Sequence, residues 1–212
     1  MIIANVMKRN PLYVHPNTFV NEVSALMKKE KVGKLPVLDN NDRLVGIITK
    51  KDLDSAAPSS ATSLDVYEVS YLLSKLKAEK IMTKKVHTVK ETEVVEEAAR
   101  IMADEGVGCL PVMKGDLLVG IVTVKDLFHV FIDMFGARHE GVRVTALLEE
   151  KPGQIARLSA QIAEMGGNIV SLGTFESDDS TKRRVTCKIT GISLEDVEKA
   201  VKLTCTKLED IR

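Results

Sequence analysis

The chain has 212 residues, with 30 Lys plus Arg balancing 30 Asp plus Glu and an apolar fraction of 44%. That length allows more than one compact unit, and the even charge balance excludes a global basic field that would draw in nucleic acid or a membrane surface. No apolar run approaches the roughly 20 residues of a spanning helix, and no basic region precedes an apolar stretch at the N-terminus. Cys109, Cys187 and Cys205 are too few and too scattered for a disulfide framework or a metal site. The expectation is a reduced, cytoplasmic protein whose cysteines serve as small buried hydrophobes.

Val6-Met7 opens the chain, and Pro11 and Pro16 bracket a short extended stretch, Leu12-Tyr13-Val14. Val20, Val23, Leu26 and Met27 recur at helical spacing with charges opposite, which predicts a helix. Leu35-Pro36-Val37-Leu38 reads as a strand, Asp39-Asn40-Asn41-Asp42 as a turn, and Leu44 to Thr49 as a second strand. Ser55 to Ala61 has linker composition. Thr62 to Asp65 then fits a capping box, leading a stripe of Leu64, Tyr67, Tyr71, Leu72 and Leu76.

The pattern then returns. Leu44-Val45-Gly46-Ile47-Ile48-Thr49-Lys50-Lys51-Asp52-Leu53 matches Leu118 to Leu127 at eight of ten positions, 74 residues on. Val32-Gly33-Lys34-Leu35-Pro36-Val37 matches Val107-Gly108-Cys109-Leu110-Pro111-Val112 at a shift of 75. The one-residue difference falls in the turns Asp39–Asp42 and Lys114-Gly115-Asp116, where a length change costs little. Two copies of one supersecondary unit therefore occupy one chain. The second copy's helix carries Val94, Val95, Ala98, Ile101 and Met102 on one face. After it, Phe128, Phe131, Ile132 and Phe135 make an apolar helix stopped near Gly136. Such a face must be covered, by the partner repeat or by a second subunit.

From Val142 the pattern changes. A strand, Val142 to Leu148, precedes a helix opened by Pro152 at the first helical position and closed by Gly166-Gly167. Ile155, Leu158, Ile162 and Met165 share one side of that helix. Asn168 to Phe175 and Arg184 to Thr190 read as strands. Ser193-Leu194-Glu195-Asp196 caps a helix with Val197, Ala200, Val201 and Leu203, and Cys205 to Ile211 reads as a last strand. The order is βαββαβ, the ferredoxin-like arrangement. The boundaries are residues 1–54 and 81–136 for the repeats, 55–80 for the linker with its helix, and 142–212 for the third domain.

The chemistry-bearing segment is Gly46-Ile47-Ile48-Thr49-Lys50-Lys51-Asp52. A strand ends at Thr49 and a helix begins, so free backbone N–H groups and the helix dipole favour an anion there. Thr49 adds a hydroxyl, Lys50 or Lys51 a positive charge, and Asp52 two acceptor oxygens suited to a vicinal diol such as a ribose. Gly46 admits a close approach to the strand. The competing reading is that Thr-x-x-Asp is a capping box and needs no ligand. Thr123, Lys125 and Asp126 repeat the set. His87 either lines the second pocket, where it would contact a base or phosphate and add pH sensitivity, or starts a strand facing solvent. His15, His129 and His139 have no partner at metal spacing, and no Ser-His-Asp set, phosphate loop or Gly-x-Gly-x-x-Gly motif is present. No catalytic residue and no metal site is assigned.

Val-Gly-x-Leu-Pro-Val and Gly-h-h-Thr-x-x-Asp, each present twice, resemble a pair of cystathionine-β-synthase-type (CBS) domains, together a Bateman module, over roughly residues 1 to 135. The resemblance implies an α/β (α+β) fold and a cleft between the copies that binds AMP, ADP, ATP, S-adenosylmethionine or NAD. It carries the ribose-binding Asp to Asp52 and Asp126, and the phosphate-contacting hydroxyl to Thr49 and Thr123, beside Lys51 and Lys125. It draws the adenine pocket from Leu12 and His87, from Lys34, Leu35 and Pro36 with Val32 and Gly33, and from Cys109, Leu110 and Pro111 with Val107 and Gly108. Glu150-Lys151-Pro152-Gly153-Gln154-Ile155, followed by Asn168-Ile169, resembles an ACT domain over about Val142 to Arg212. That resemblance implies either paired assembly or an amino-acid site at Glu150, Pro152, Gly153, Gln154, Ile155, Asn168 and Ile169. Glu150 stands where the family commonly has Asp or Asn. The whole architecture is similar to bacterial proteins linked to acetoin utilisation.

Three functions are consistent with these residues. One is a non-catalytic sensor with a regulatory nucleotide, acting as a homodimer or higher oligomer on an unknown target protein, without nucleic-acid or membrane partners. The second is an enzyme of acetoin breakdown, against which the missing catalytic sets count. The third is an assembly module with vestigial pockets.

Overall fold

The computed structural model describes residues 1–56 and 75–212. The expected capping box at Thr62–Asp65 and the stripe from Leu64 to Leu72 lie outside the described residues. The chain divides into two compact units, Met1–Leu127 and Phe128–Arg212.

In the first unit, helix α1 (Val20–Lys29) and strands β2 (Lys34–Leu38) and β3 (Leu44–Thr49) form the first repeat, as the periodicity predicts. Val23, Met27, Leu35, Val37 and Ile48 pack into its core, each removing about 1.5–3 kcal/mol worth of apolar surface from water. The antiparallel β2–β3 pair turns through Asp39, whose carboxylate accepts from the backbone N–H of Asn41 and Arg43. Helix α2 (Lys50–Ala56) follows directly, so Ser55 and Ala56 close a helix where linker composition had suggested a flexible start. In the second repeat, helix α4 (Val95–Asp104) precedes strands β5 (Cys109–Lys114) and β6 (Leu117–Thr123). Short strand β4 (Val89–Lys90) runs parallel to β5, as Val14 bridges Val37 in the first repeat. Helix α5 (Val124–Met134) begins where β6 ends.

The openings of the two repeats are exchanged. Strand β1 (Lys8–Arg9) pairs with β6 of the second repeat, Lys8 opposite Ile121. Reciprocally, Thr83 bridges Ile47 on β3. Ile3 donates to the carbonyl of Glu93 at 2.8 Å, and Ala78, in the short helix α3 (Ala78–Ile81), donates to that of Thr18 at 2.8 Å. Ala78 is a core residue of the first repeat. Two glycines make the exchange possible. A Cβ at Gly46 would lie 2.5 Å from Sδ of Met82, and a Cβ at Gly120 would collide with Sδ of Met7 and stand 3.2 Å from the carbonyl oxygen of Lys8. The close approach that Gly46 permits is therefore made by a methionine of the other repeat. Ile47, Cys109 and Ile121 cluster on the seam beside Val86.

Both repeat helices end in a left-handed residue, Lys31 at φ 53° and Gly106 at φ 63°. The next amide, of Val32 or Val107, donates to the carbonyl of Met27 or Met102 at 3.0 Å. Only the second repeat uses the residue without a Cβ penalty there.

The second unit has an antiparallel sheet in the order β10-β7-β9-β8, formed by β7 (Val142–Glu149), β8 (Asn168–Glu176), β9 (Lys182–Thr190) and β10 (Lys207–Ile211). Helices α6 (Gln154–Glu164) and α7 (Leu194–Lys202) complete the expected βαββαβ order. Leu158, Ile162, Val197, Ala200 and Val201 pack against Val144, Leu148, Cys187 and Ile189 of the sheet. Pro152 is not the first helical residue: Gly153, at φ 85°, is the N-cap and α6 begins at Gln154. The helix ends as expected, with Gly166 donating to Ala163 and Gly167 to Ile162, a Schellman closure. Ser193 caps α7 by accepting from the amide of Asp196.

The aromatic helix was expected to be covered by the partner repeat or a second subunit. Phe135 instead stacks on Phe175 of β8, ring centroids 5.9 Å apart, over Gly173, where no side chain blocks the approach. Phe128 and Phe131 remain 61% and 58% exposed.

Two substitutions test this packing. Gly120→Ala is expected to cost about 1–3 kcal/mol of unfolding free energy by overpacking, and markedly less in a Met7→Ala background. Equal costs in both backgrounds, measured by denaturant unfolding, would remove the contact from the account. Lys31→Gly, copying Gly106, is expected to stabilise by about 0.5–1 kcal/mol.

Candidate functional site

Residues of both repeats meet around one cavity of about 630 Å³. The first repeat supplies Lys34, Thr49, Lys50, Lys51 and Asp52. The second supplies Lys85, His87 and the backbone turn Val107-Gly108-Cys109. The exchange of openings brings the segment after Thr83 to the first repeat, because Thr83 bridges Ile47 of β3, and Lys85 to His87 then line the cavity with Thr49 to Asp52.

At the start of α2 the Thr49 backbone N–H and hydroxyl both donate to Asp52 Oδ2, each at 2.7 Å. Thr123 and Asp126 repeat this at 2.8 and 2.7 Å. Thr-x-x-Asp is thus a capping interaction in both copies. Both bonds use Oδ2, which leaves Oδ1 of Asp52 open among the described residues. Cap and diol recognition are therefore compatible within a single carboxylate. His87 is half-buried and its Nε2 lies 3.4 Å from a Glu105 carboxylate oxygen. It stands at the Thr49–Asp52 end and not at the second repeat's own motif, and it does not simply face solvent.

Lys34 reaches across the seam and donates through Nζ to the carbonyl of Gly108. Cys109 is buried beside it, and burial pushes its thiol above the usual range while the Lys34 charge opposes that shift. Leu35 and Leu110 are fully buried and Leu35 belongs to the first repeat's core. The period-2 alternation of a strand turns their side chains inward, so neither lines the cavity. Pro36 and Pro111, opposite Ile47 and Ile121, are also buried strand residues outside the lining. Leu12 is exposed and is not in this lining. The residues that motif reading passed over are Thr83, Lys85, Val86 and Gly106. Thr83, Lys85 and Val86 carry no motif, and only their pairing to the other repeat could have pointed to them.

In the second unit, Glu150, Gln154 and Ile155 line a smaller cavity of about 260 Å³ with Lys151, Thr174 and Arg183. Arg183 donates to Glu150 at 2.6 Å, and this carboxylate holds the guanidinium above its ordinary pKa. Pro152 and Gly153 are exposed and outside the lining. Asn168, paired with Thr190 on β8, and Ile169, packed on the core, are likewise not brought to it. No group of three or more His, Cys, Asp or Glu that could hold a metal occurs among the described residues, and no described helix is long and apolar enough to cross a membrane.

The CBS domain model matches residues 3–59 and 78–133, and a TTHA0829-like ACT domain model matches 140–212. The chain is similar to the CBS domain pair of protein MJ0100, solved with 5'-methylthioadenosine and S-adenosyl-L-methionine, at 27% identity and TM-score 0.53 over 66% of this chain and 98% of that one. A protein of Vibrio cholerae assigned to acetoin utilization (AcuB) matches at 27% identity and TM-score 0.54, with the same coverages of 66% and 98%. CBSX2, solved with AMP, matches at 28% identity and TM-score 0.51 over 62% of this chain and 96% of that one. Among curated relatives, homoserine O-acetyltransferase of Methanobrevibacter ruminantium is 30% identical over 60% of this chain, but the match spans only 24% of that enzyme.

The cap geometry makes a prediction that needs no ligand. Asp52→Ala and Asp126→Ala are each expected to lower stability by about 0.5–2 kcal/mol, read by thermal unfolding of the ligand-free protein. No change in either variant would mean that the Thr–Asp bonds do not cap these helices in solution.

Proposed function

The chain belongs to the CBS-domain family, its two repeats followed by an ACT domain, and we propose that it is a non-catalytic regulatory protein that senses an adenosyl ligand in the cleft between the repeats. The observation that carries the reading is Asp52, which lines with Thr49 a cavity built from both repeats and whose Oδ1 takes no hydrogen bond among the described residues. Oδ1 of the carboxylate accepts from the ribose, and the lysines receive the phosphate side, where Thr49 can donate only by giving up its hydroxyl bond to Asp52. Lys34, Cys109 and His87 stand around the remaining space. Asp126 and Thr123 serve the repeat-related position. Similarity to pairs solved with AMP and with S-adenosyl-L-methionine supports the ligand class.

A ligand contacting both repeats favours one arrangement of them, which is the differential affinity that a switch requires. In the ACT unit, the Glu150–Arg183 pair offers a carboxylate and a guanidinium at one small cavity, the complement of an amino acid's ammonium and carboxylate. The exposed Phe128, Phe131 and Met134 of α5 favour a homodimer through that face. A cytoplasmic setting and a link to acetoin utilization, by similarity to the Vibrio cholerae protein, belong to the same reading. Against catalysis stands the use of Asp52 and Asp126 as helix caps.

The test is calorimetric titration of AMP, ADP, ATP, S-adenosylmethionine and NAD into the ligand-free protein and into a folded Asp52→Ala/Asp126→Ala variant. Saturable binding that weakens about tenfold or more in the variant is expected, since a hydrogen bond to a charged group contributes about 1.5–3 kcal/mol. Absence of binding by the ligand-free wild type would leave the assembly module as the better account.

A further inference from the structure

One histidine connects two of the segments that line the cleft. His87 lines the cavity from the segment after Thr83, and its Nε2 lies 3.4 Å from a carboxylate oxygen of Glu105. Glu105 is the C-cap residue of α4, and the residues that follow it, Gly106 to Cys109, line the same cavity. The pair therefore sits at the negative end of a helix, where the carboxylate and the helix dipole both favour an imidazolium. Assigning the neutral ring's proton to Nε2, beside Glu105, leaves Nδ1 as an acceptor, and a second proton turns Nδ1 into a donor. The other charged groups lining the cavity are Lys34 on β2, Lys50, Lys51 and Asp52 at the start of α2, and Lys85 on the same segment as His87. Burial pushes the Cys109 thiol up, so it adds no charge. Four ammonium groups oppose an imidazolium, and an anion placed among them cancels that opposition.

We propose that His87 is a proton-linked specificity residue of this cleft: its imidazolium forms as a phosphate-bearing adenosyl ligand binds, so affinity for such a ligand rises with acidity while affinity for a cationic adenosyl ligand does not. The inference rests on the adenosyl reading above and adds its regulation. Linkage gives the sign. A ligand that favours the protonated ring takes up a proton on binding, so the gain in affinity is fully present below the histidine range, about pH 5–8, and is lost as pH rises through it. Glu105 is a positioning residue: it orients the ring and offsets the lysines, and without it the gain moves to lower pH.

The experiment is calorimetric titration of AMP, and separately of S-adenosylmethionine, into the full-length, ligand-free protein and into its His87→Gln and Glu105→Gln variants, at about pH 6.5 and 8. Each titration is run in two buffers of different ionisation enthalpy, which counts the protons taken up. The AMP phosphate itself titrates near pH 6, equally for every protein, so the readout is the difference between wild type and variant. The tightening of AMP from the higher to the lower pH is expected to be about three- to tenfold greater in the wild type than in His87→Gln, with proton uptake lost in step. Glu105→Gln, at an exposed helix end, is expected to reduce the same ratio and carries the comparison independently of His87→Gln. S-adenosylmethionine is expected to show no such difference. Equal AMP ratios in the wild type and the variants, an equal gain with S-adenosylmethionine, or binding of S-adenosylmethionine alone would overturn the proposal while leaving the adenosyl reading intact. Failure of both ligands to bind the wild type would overturn both.

Discussion

The exchange of opening segments between the repeats is the interaction on which the first unit depends. Neither repeat completes its own sheet or core. β1 extends the second repeat's sheet, Thr83 bridges the first repeat's strand, and Ala78 fills the first repeat's core. Gly46 and Gly120 are the points at which this could fail sterically, and each is covered by the methionine that opens the other repeat. A βαββ-like unit of some fifty residues buries too little surface to stand alone, and reciprocal insertion gives each copy what it lacks. The seam formed by Ile47, Ile121 and Cys109 is the consequence.

The same exchange creates the cleft. Motif residues at the end of β3 and non-motif residues after Thr83 line one cavity because the Thr83–Ile47 bridge anchors the second repeat's opening on the first. The site therefore cannot be assigned to one repeat, and a ligand in it contacts both. The Thr–Asp pair adds an economy of atoms, since one carboxylate oxygen closes the helix end and its neighbour takes no hydrogen bond among the described residues. The capping and ligand readings of Thr-x-x-Asp are thus not exclusive, because they draw on different oxygens.

The second unit is organised by local rules to a greater degree. Ser193 caps α7, Gly153 and Gly166 bracket α6 in left-handed conformations, and the buried residues of β7 and β9 set which face of those strands meets the helices. Its Glu150–Arg183 pair ties the loop after β7 to β9 at 2.6 Å. Phe135 on Phe175 gives that unit an aromatic contact beyond the βαββαβ core.

Periodicity, repeat spacing and cap residues were sufficient to read most elements from the sequence. Val20 to Met27 as a helix, Leu44 to Thr49 as a strand, the Gly166-Gly167 stop and the Ser193 cap depend on neighbours three or four residues away, and a linear pattern records such neighbours. Thr49, Asp52, Thr123 and Asp126 were legible for the same reason, with their doubling as added evidence. Tertiary structure alone decided that Met82 and not a ligand covers Gly46, that His87 joins the first repeat's motif, that Leu35 and Leu110 turn into the core, and that Lys85 belongs to the cleft. Each of these depends on contacts between residues far apart in the chain, as Met82 is from Gly46, or on which face of a strand is inward once a partner is chosen. Pattern within one segment carries no information on that choice. Pro152 missed the first helical position by a related cause: the left-handed Gly153 sets the turn, and a φ angle is not written in residue spacing.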